Sequence, residues 1–294
     1  MSLEEVFNPI HTLEAIKKYR KLDLVKTPYE TVYNALEEII FSFNLICINL
    51  GKYPVFRVRK HENPSLVYTR KSDLLAPPEE CVHKMGRLNK VHESIFYAAF
   101  DPVTAIKESR IKPGDFFSLS IFWMNANENG ELSSINTCLP NTPLGLGVNE
   151  NITTLIISDF MYSEFTRHVS EDTNYQYKTT CAIGELLFRH EKKDSIIYPS
   201  MIDYNCRNIA FRKTAIDKRL SLSEILVCQL EDYNEEGNPV IYNSQKGKVN
   251  SNREINYTET PLFQRNLTLK KETFFKPYHK YQELIDVLTK VDEI

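Results

Sequence analysis

The chain has 294 residues, 42% hydrophobic and 26% charged, with only 9 Gly and 14 Pro, a balance that excludes disordered, collagenous and low-complexity proteins. Against 39 Asp and Glu stand 36 Lys and Arg, a net charge of −3, so no global cationic field exists to hold phosphate backbones and nucleic acid is not an expected partner. The length suits one large domain, or a core of ordinary size with additions at its ends. Met1 to Glu5 lack the basic start and apolar stretch of a secretory signal, which predicts a cytoplasmic protein.

A short helix is expected from Leu13 to Leu24. Val32, Ala35, Leu36, Ile39, Ile40, Phe43 and Ile46 then recur at helical spacing and predict an amphipathic helix between Pro28 and Leu50. The run Ile39 to Leu50 is broken by Ser42 and Asn44 and falls short of the roughly 20 residues of a membrane span, so no membrane association is expected. Beyond Pro54, Val55-Phe56-Arg57-Val58-Arg59 alternates apolar and polar residues as a half-buried strand does.

Further strands are predicted at Ser94 to Ala98, Phe116 to Trp123, Thr154 to Ile157, Glu185 to Phe188, Ile196 to Pro199 and Ile225 to Leu230. Helices are predicted at Pro102 to Ser109 and, overlapping one strand candidate, at Ile152 to Arg167. These elements lack the regular alternation of a doubly wound sheet, and no GxGxxG follows the first strand, which makes the class α+β.

The Asn-rich stretch Met124 to Asn151 reads as a long loop. A polar tract from Glu231 to Glu259 leads to a last amphipathic helix around Tyr278 to Val291, with Leu284, Leu288 and Val291 on one side. The expected organisation is a helical N-terminal segment (1–50), a catalytic core (51–235) and a C-terminal extension ending in a helix (236–294). The 6 Cys are scattered without a CxxC pair and the 7 His without HExxH spacing, so reduced thiols, mostly packed inside, and no metal site are expected.

Chemistry concentrates in one stretch: Gly86-Arg87-Leu88-Asn89, then Ser94 to Ala99, then Thr104 to Glu108. Turn, strand and helix follow in order, a sequence that permits a guanidinium, an aromatic ring and a carboxylate to meet.

With the strand VFRV around Arg57, the approach SDLLAPPEE, the blocks GRLN and IFYAAFDPVTAIKE, and the later YPS with Ser200, the chain resembles the RES-domain family, over Val55 to about Phe211. That resemblance implies an ADP-ribosyltransferase-like mixed sheet with flanking helices, consumption of NAD as substrate with no separate cofactor, and action as a toxin held by a helix-turn-helix antitoxin. It points to Arg87, Tyr97, Glu108 and Ser200 as the catalytic group, with Arg57, Asn89 and Asn208 binding substrate. Beyond the serine the family commonly shows an Asn followed shortly by Asn-Pro, and this chain departs from that, with Asn205 or Asn208 preceding Phe211-Arg212-Lys213; Arg59 shares a face of its strand with Arg57.

Each role has a physical basis. The planar, permanently charged Arg87 suits bidentate contact with a pyrophosphate. Tyr97 offers a ring for the nicotinamide, although strand tyrosines commonly pack instead. A fixed carboxylate at Glu108 stabilises the positive charge that develops on ribose as the nicotinamide bond breaks. Ser200 has no His and acid near it in sequence to make it a nucleophile, so its hydroxyl is expected to hold the amide or ribose. The expected reaction is glycohydrolysis or phosphorolysis of NAD. Transfer of ADP-ribose to a protein, or a catalytically silent interaction module, are the alternatives.

Overall fold

The computed structural model describes residues 7–43, 47–50, 52–63, 67–125, 132–137, 147–189, 193–202 and 206–270. In chain order its elements are α1 (Pro9–Tyr19), α2 (Tyr29–Ile40), β1 (Cys47–Leu50), β2 (Pro54–Lys60), α3 (Lys71–Leu74), β3 (Ile95–Ala99), α4 (Pro102–Glu108), β4 (Phe116–Met124), β5 (Leu132–Asn136), α5 (Val148–Thr166), α6 (Tyr177–Phe188), β6 (Ser195–Pro199), β7 (Arg207–Arg212), α7 (Lys213–Arg219), β8 (Leu220–Tyr233), β9 (Pro239–Val249), β10 (Ile255–Glu259) and β11 (Asn266–Thr268). The class is α+β, with parallel and antiparallel pairing both present.

Several expectations need correction. The first helix starts earlier than its apolar pattern, because the Asn8 side chain accepts from the Ile10 and His11 amides and Pro9 opens the first turn. The second ends at Ile40, and Cys47–Leu50 is a strand, since Ser42 and Asn44 interrupt the helical period. Thr154 to Ile157 lies within α5, whose buried Thr153, Thr154, Ile157, Phe160, Met161 and Phe165 recur by helical spacing. Glu185 to Phe188 is the end of α6, a helix buried almost all round, so its apolar run shows no stripe.

The stretch Met124 to Asn151 contains β5 and the start of α5, while 126–131 and 138–146 lie outside the described residues. The polar tract Glu231 to Glu259 is a set of strands: β8 turns into β9 and β9 into β10, all antiparallel. At the first turn Gly237 takes a φ of 72°, and the Asn234 side chain accepts from the Glu236 and Asn238 amides. The helix expected at Tyr278 to Val291 falls outside the described residues.

The chain divides into two compact units. One comprises Met1–Ile48, Pro78–Ile95 and Ser133–Met201, the other Asn49–Pro77, Phe96–Leu132 and Ile202–Ile294. In the first, α1, α2, α5 and α6 pack together and β5 pairs in parallel with β6. Tyr19 meets Phe160 edge to face at 5.5 Å and hydrogen-bonds Thr179 at 2.5 Å. In the second, the strand order is β7-β3-β2-β4-β8-β9-β10, with β11 also on β9. Phe56, Ile106, Phe117, Leu119, Ile121, Leu226, Cys228 and Ile241 form its core. No helix among the described residues is long and apolar enough to cross a membrane.

One buried acid of the first unit makes a testable case. Glu164 is 3% exposed, and burial pushes its carboxyl above the ordinary value, although Arg167, at 2.7 Å, and Arg20 pull it down. A folded pKa above the unfolded one gives stability that is complete below the ordinary carboxylate range and is lost as pH rises through the folded value. Glu164→Gln is therefore expected to melt about 2–4 °C higher at pH 7, with the gain vanishing below about pH 4. Thermal melts at both pH values check this.

Candidate functional site

The segment Gly86 to Asn89 lies in the first unit as a bend whose ends are tied together: the Gly86 amide donates to the Asn89 carbonyl at 3.0 Å. Leu88 is buried beneath it. Asn89, 6% exposed, donates its side-chain amide to the Lys90 carbonyl at 2.9 Å, so it serves the turn itself. Arg87 is half-buried. One terminal nitrogen donates to the Arg167 carbonyl at 3.2 Å, the other reaches the Met201 sulfur at 3.5 Å, and the guanidinium carbon lies 5.4 Å from the centre of the Tyr177 ring. Ser200, next to Met201 and just past β6, is 1% exposed.

In the second unit the sequence Asp101-Pro102-Val103-Thr104 writes the start of α4. The Asp101 carboxylate accepts from the Thr104 amide at 2.8 Å, and proline occupies the first turn. The helix ends in a left-handed residue, Arg110, with φ 54°. The Arg110 amide donates to the Lys107 carbonyl and that of Ile111 to the Ile106 carbonyl, with Ile106 and Ile111 both buried. Glu108 is thereby held as the last helical residue, where the negative end of the helix dipole opposes a carboxylate.

That electrostatic disadvantage is offset from β7. Asn208, 5% exposed, donates its side-chain amide to a Glu108 carboxylate oxygen at 2.9 Å. Arg57 on β2 donates to the Tyr97 carbonyl at 2.5 Å, and its guanidinium lies 4.9 Å from the centre of the Phe96 ring. It thus braces the strand that carries Tyr97. Arg59 is occupied elsewhere, donating to the Leu75 carbonyl at 2.7 Å. Tyr97 is half-buried among buried neighbours.

The candidate residues divide between the units: Arg87, Asn89 and Ser200 belong to the first, and Arg57, Tyr97, Glu108 and Asn208 to the second. Within the second the structure joins Glu108 to Asn208 and Arg57 to Tyr97. Asn205 lies outside the described residues. Sequence reasoning missed Tyr177 and Met201 beside Arg87. Neither carried a local signal, because Tyr177, Cys181, Gly184 and Glu185 share a face only once α6 is formed, over a stretch whose end reads as a strand. Among the described residues no group of His, Cys, Asp and Glu is arranged to hold a metal ion. Cys47 and Cys81 are exposed thiols, whereas Cys181, Cys206 and Cys228 are buried.

No protein-family model matches this chain, and no curated protein matches its sequence.

Proposed function

We propose that this chain is an NAD-consuming enzyme of the RES type that cleaves the bond between nicotinamide and ribose. The observation that supports it best is the 2.9 Å hydrogen bond from Asn208 to Glu108. Two residues singled out for this chemistry, far apart in sequence, meet around a carboxylate that the local helix electrostatics disfavour. A charge kept where it weakens its own helix is a common mark of a working group.

In the reaction the N-glycosidic bond breaks with its electron pair going to nicotinamide, which departs neutral and needs no acid to expel it. Positive charge develops on the ribose, and the Glu108 carboxylate stabilises it. Asn208 fixes the carboxylate in one orientation, so little reorganisation is needed as the charge forms. Water then adds to the sugar and gives up a proton, leaving ADP-ribose. Phosphate attacking the same cation gives the phosphorolysis product.

The resemblance assigns Arg87 to the pyrophosphate, Ser200 to an amide or ribose hydroxyl, and Tyr97 a ring for the nicotinamide. Arg57 acts through the strand it braces. The same reading places the protein in the cytoplasm, with a small helix-turn-helix protein as its restraining partner.

The test is direct. Purified protein is mixed with NAD in phosphate-free and in phosphate buffer, and nicotinamide and the sugar product are separated chromatographically. Release in either buffer is expected. No release in both defeats the reading, and label from NAD retained on protein would replace it with ADP-ribosyl transfer.

A further inference from the structure

The turn that carries Arg87 is built against one face of α6. Four positions of that helix, each about one turn from the next or adjacent to it, meet four parts of the turn. The Tyr177 ring lies under the Arg87 guanidinium at 5.4 Å. The Cys181 thiol, 2% exposed, shares its one S–H proton between the Gly86 carbonyl at 3.1 Å and the Asn89 carbonyl at 3.0 Å.

Gly184 lets the turn come close: a Cβ there would lie 2.6 Å from the Leu88 Cδ2 and 3.7 Å from its Cα. Glu185 takes the Lys90 ammonium at 3.0 Å and the Tyr29 hydroxyl at 2.8 Å, closing the far side. Burial pushes the Cys181 thiol up, and Glu93 adds to it, so the sulfur stays protonated and donating at neutral pH.

We propose that α6 is the template of this turn and that Tyr177 and Cys181 are positioning residues for the Arg87 guanidinium. The thiol fixes the backbone on both sides of Arg87, and the ring fixes the plane of its side chain. The remaining donors of the planar fork make no hydrogen bond among the described residues, so they stay available to the oxygens of a diphosphate. The inference rests on the NAD-cleaving reading for its readout in turnover, and a second readout is independent of it.

NAD turnover is measured for Y177L, Y177F, C181V and C181S beside R87A. Y177L and C181V are expected to raise KM for NAD about 5- to 10-fold with kcat within about 2-fold, in the direction of R87A. Y177F keeps the ring and C181S keeps a donor, so both are expected to restore KM to near the wild-type value. An unchanged KM in Y177L and C181V, or equal losses in the conservative and drastic variants, overturns the inference.

If the wild-type protein turns over no NAD, the functional reading alone fails. The inference is then read from amide hydrogen exchange at residues 86–90, which C181V is expected to speed about 10-fold or more and C181S to leave near wild type. Unchanged protection in C181V overturns it.

Discussion

Glu108→Gln is expected to lower the rate of nicotinamide release by about 100-fold or more while leaving the protein folded. The two halves of this expectation come from the same charge. As the last residue of α4, Glu108 sits at the negative end of the helix dipole, so its charge does not support its own helix and the fold does not depend on it. Glutamine keeps the length and one acceptor oxygen, so the Asn208 amide, 2.9 Å from the carboxylate, retains its partner. What disappears is the anion that stabilises the developing cation on ribose.

Kinetics and thermal melts on the same preparation check both halves. An E108Q protein that cleaves NAD at the wild-type rate removes Glu108 from the chemistry. One that melts far lower assigns the carboxylate a structural task instead. Glu108→Ala is a poorer test, because it also strands the buried Asn208 amide, which costs about 1–3 kcal/mol.

Parts of the fold are written locally and were readable. The strand around Arg57 is legible from its residue types, although its burial runs from Val55 and Phe56, covered on both faces, to the partly exposed Arg57, Val58 and Arg59 instead of alternating. The start of α4 is spelled by an aspartate cap followed by proline. Other parts were not. In α6 nearly every side chain is buried, so the apolar run at its end lacks the stripe that distinguishes a helix from a strand. The tract through β9 and β10 is polar because its order comes from backbone pairing with neighbours, and outward side chains are free to be hydrophilic. The candidate site follows the same division. Glu108 and Arg87 stand out by type and neighbourhood. The partnership of Glu108 with Asn208, 100 residues apart, and the ring of Tyr177 beside Arg87 are tertiary facts that no local spacing encodes.

Phe96→Ala is expected to destabilise the protein by about 3–5 kcal/mol and to weaken turnover even where the variant remains folded. Phe96 is fully buried. Its ring meets Phe122 edge to face at 5.0 Å and Phe211 at 6.3 Å, so truncation opens a cavity between aromatic partners that neighbouring strands hold in place. Those strands, β3, β4 and β7, belong to one hydrogen-bonded sheet and relax little, which keeps the cavity open and the loss large. The same ring supports the Arg57 guanidinium at 4.9 Å, while Arg57 donates to the Tyr97 carbonyl. Removing the ring therefore takes one support from an arginine that braces the strand under Tyr97. Phe96→Leu separates the effects, because it restores much of the apolar volume without the π face. It is expected to recover most of the stability lost in F96A and to leave part of the turnover defect. Urea unfolding of both variants, with turnover measured well below each melting temperature, checks this. A loss below about 1 kcal/mol in F96A would place Phe96 outside the cooperative core. Full turnover in F96L would show that the Arg57 brace does not depend on the ring.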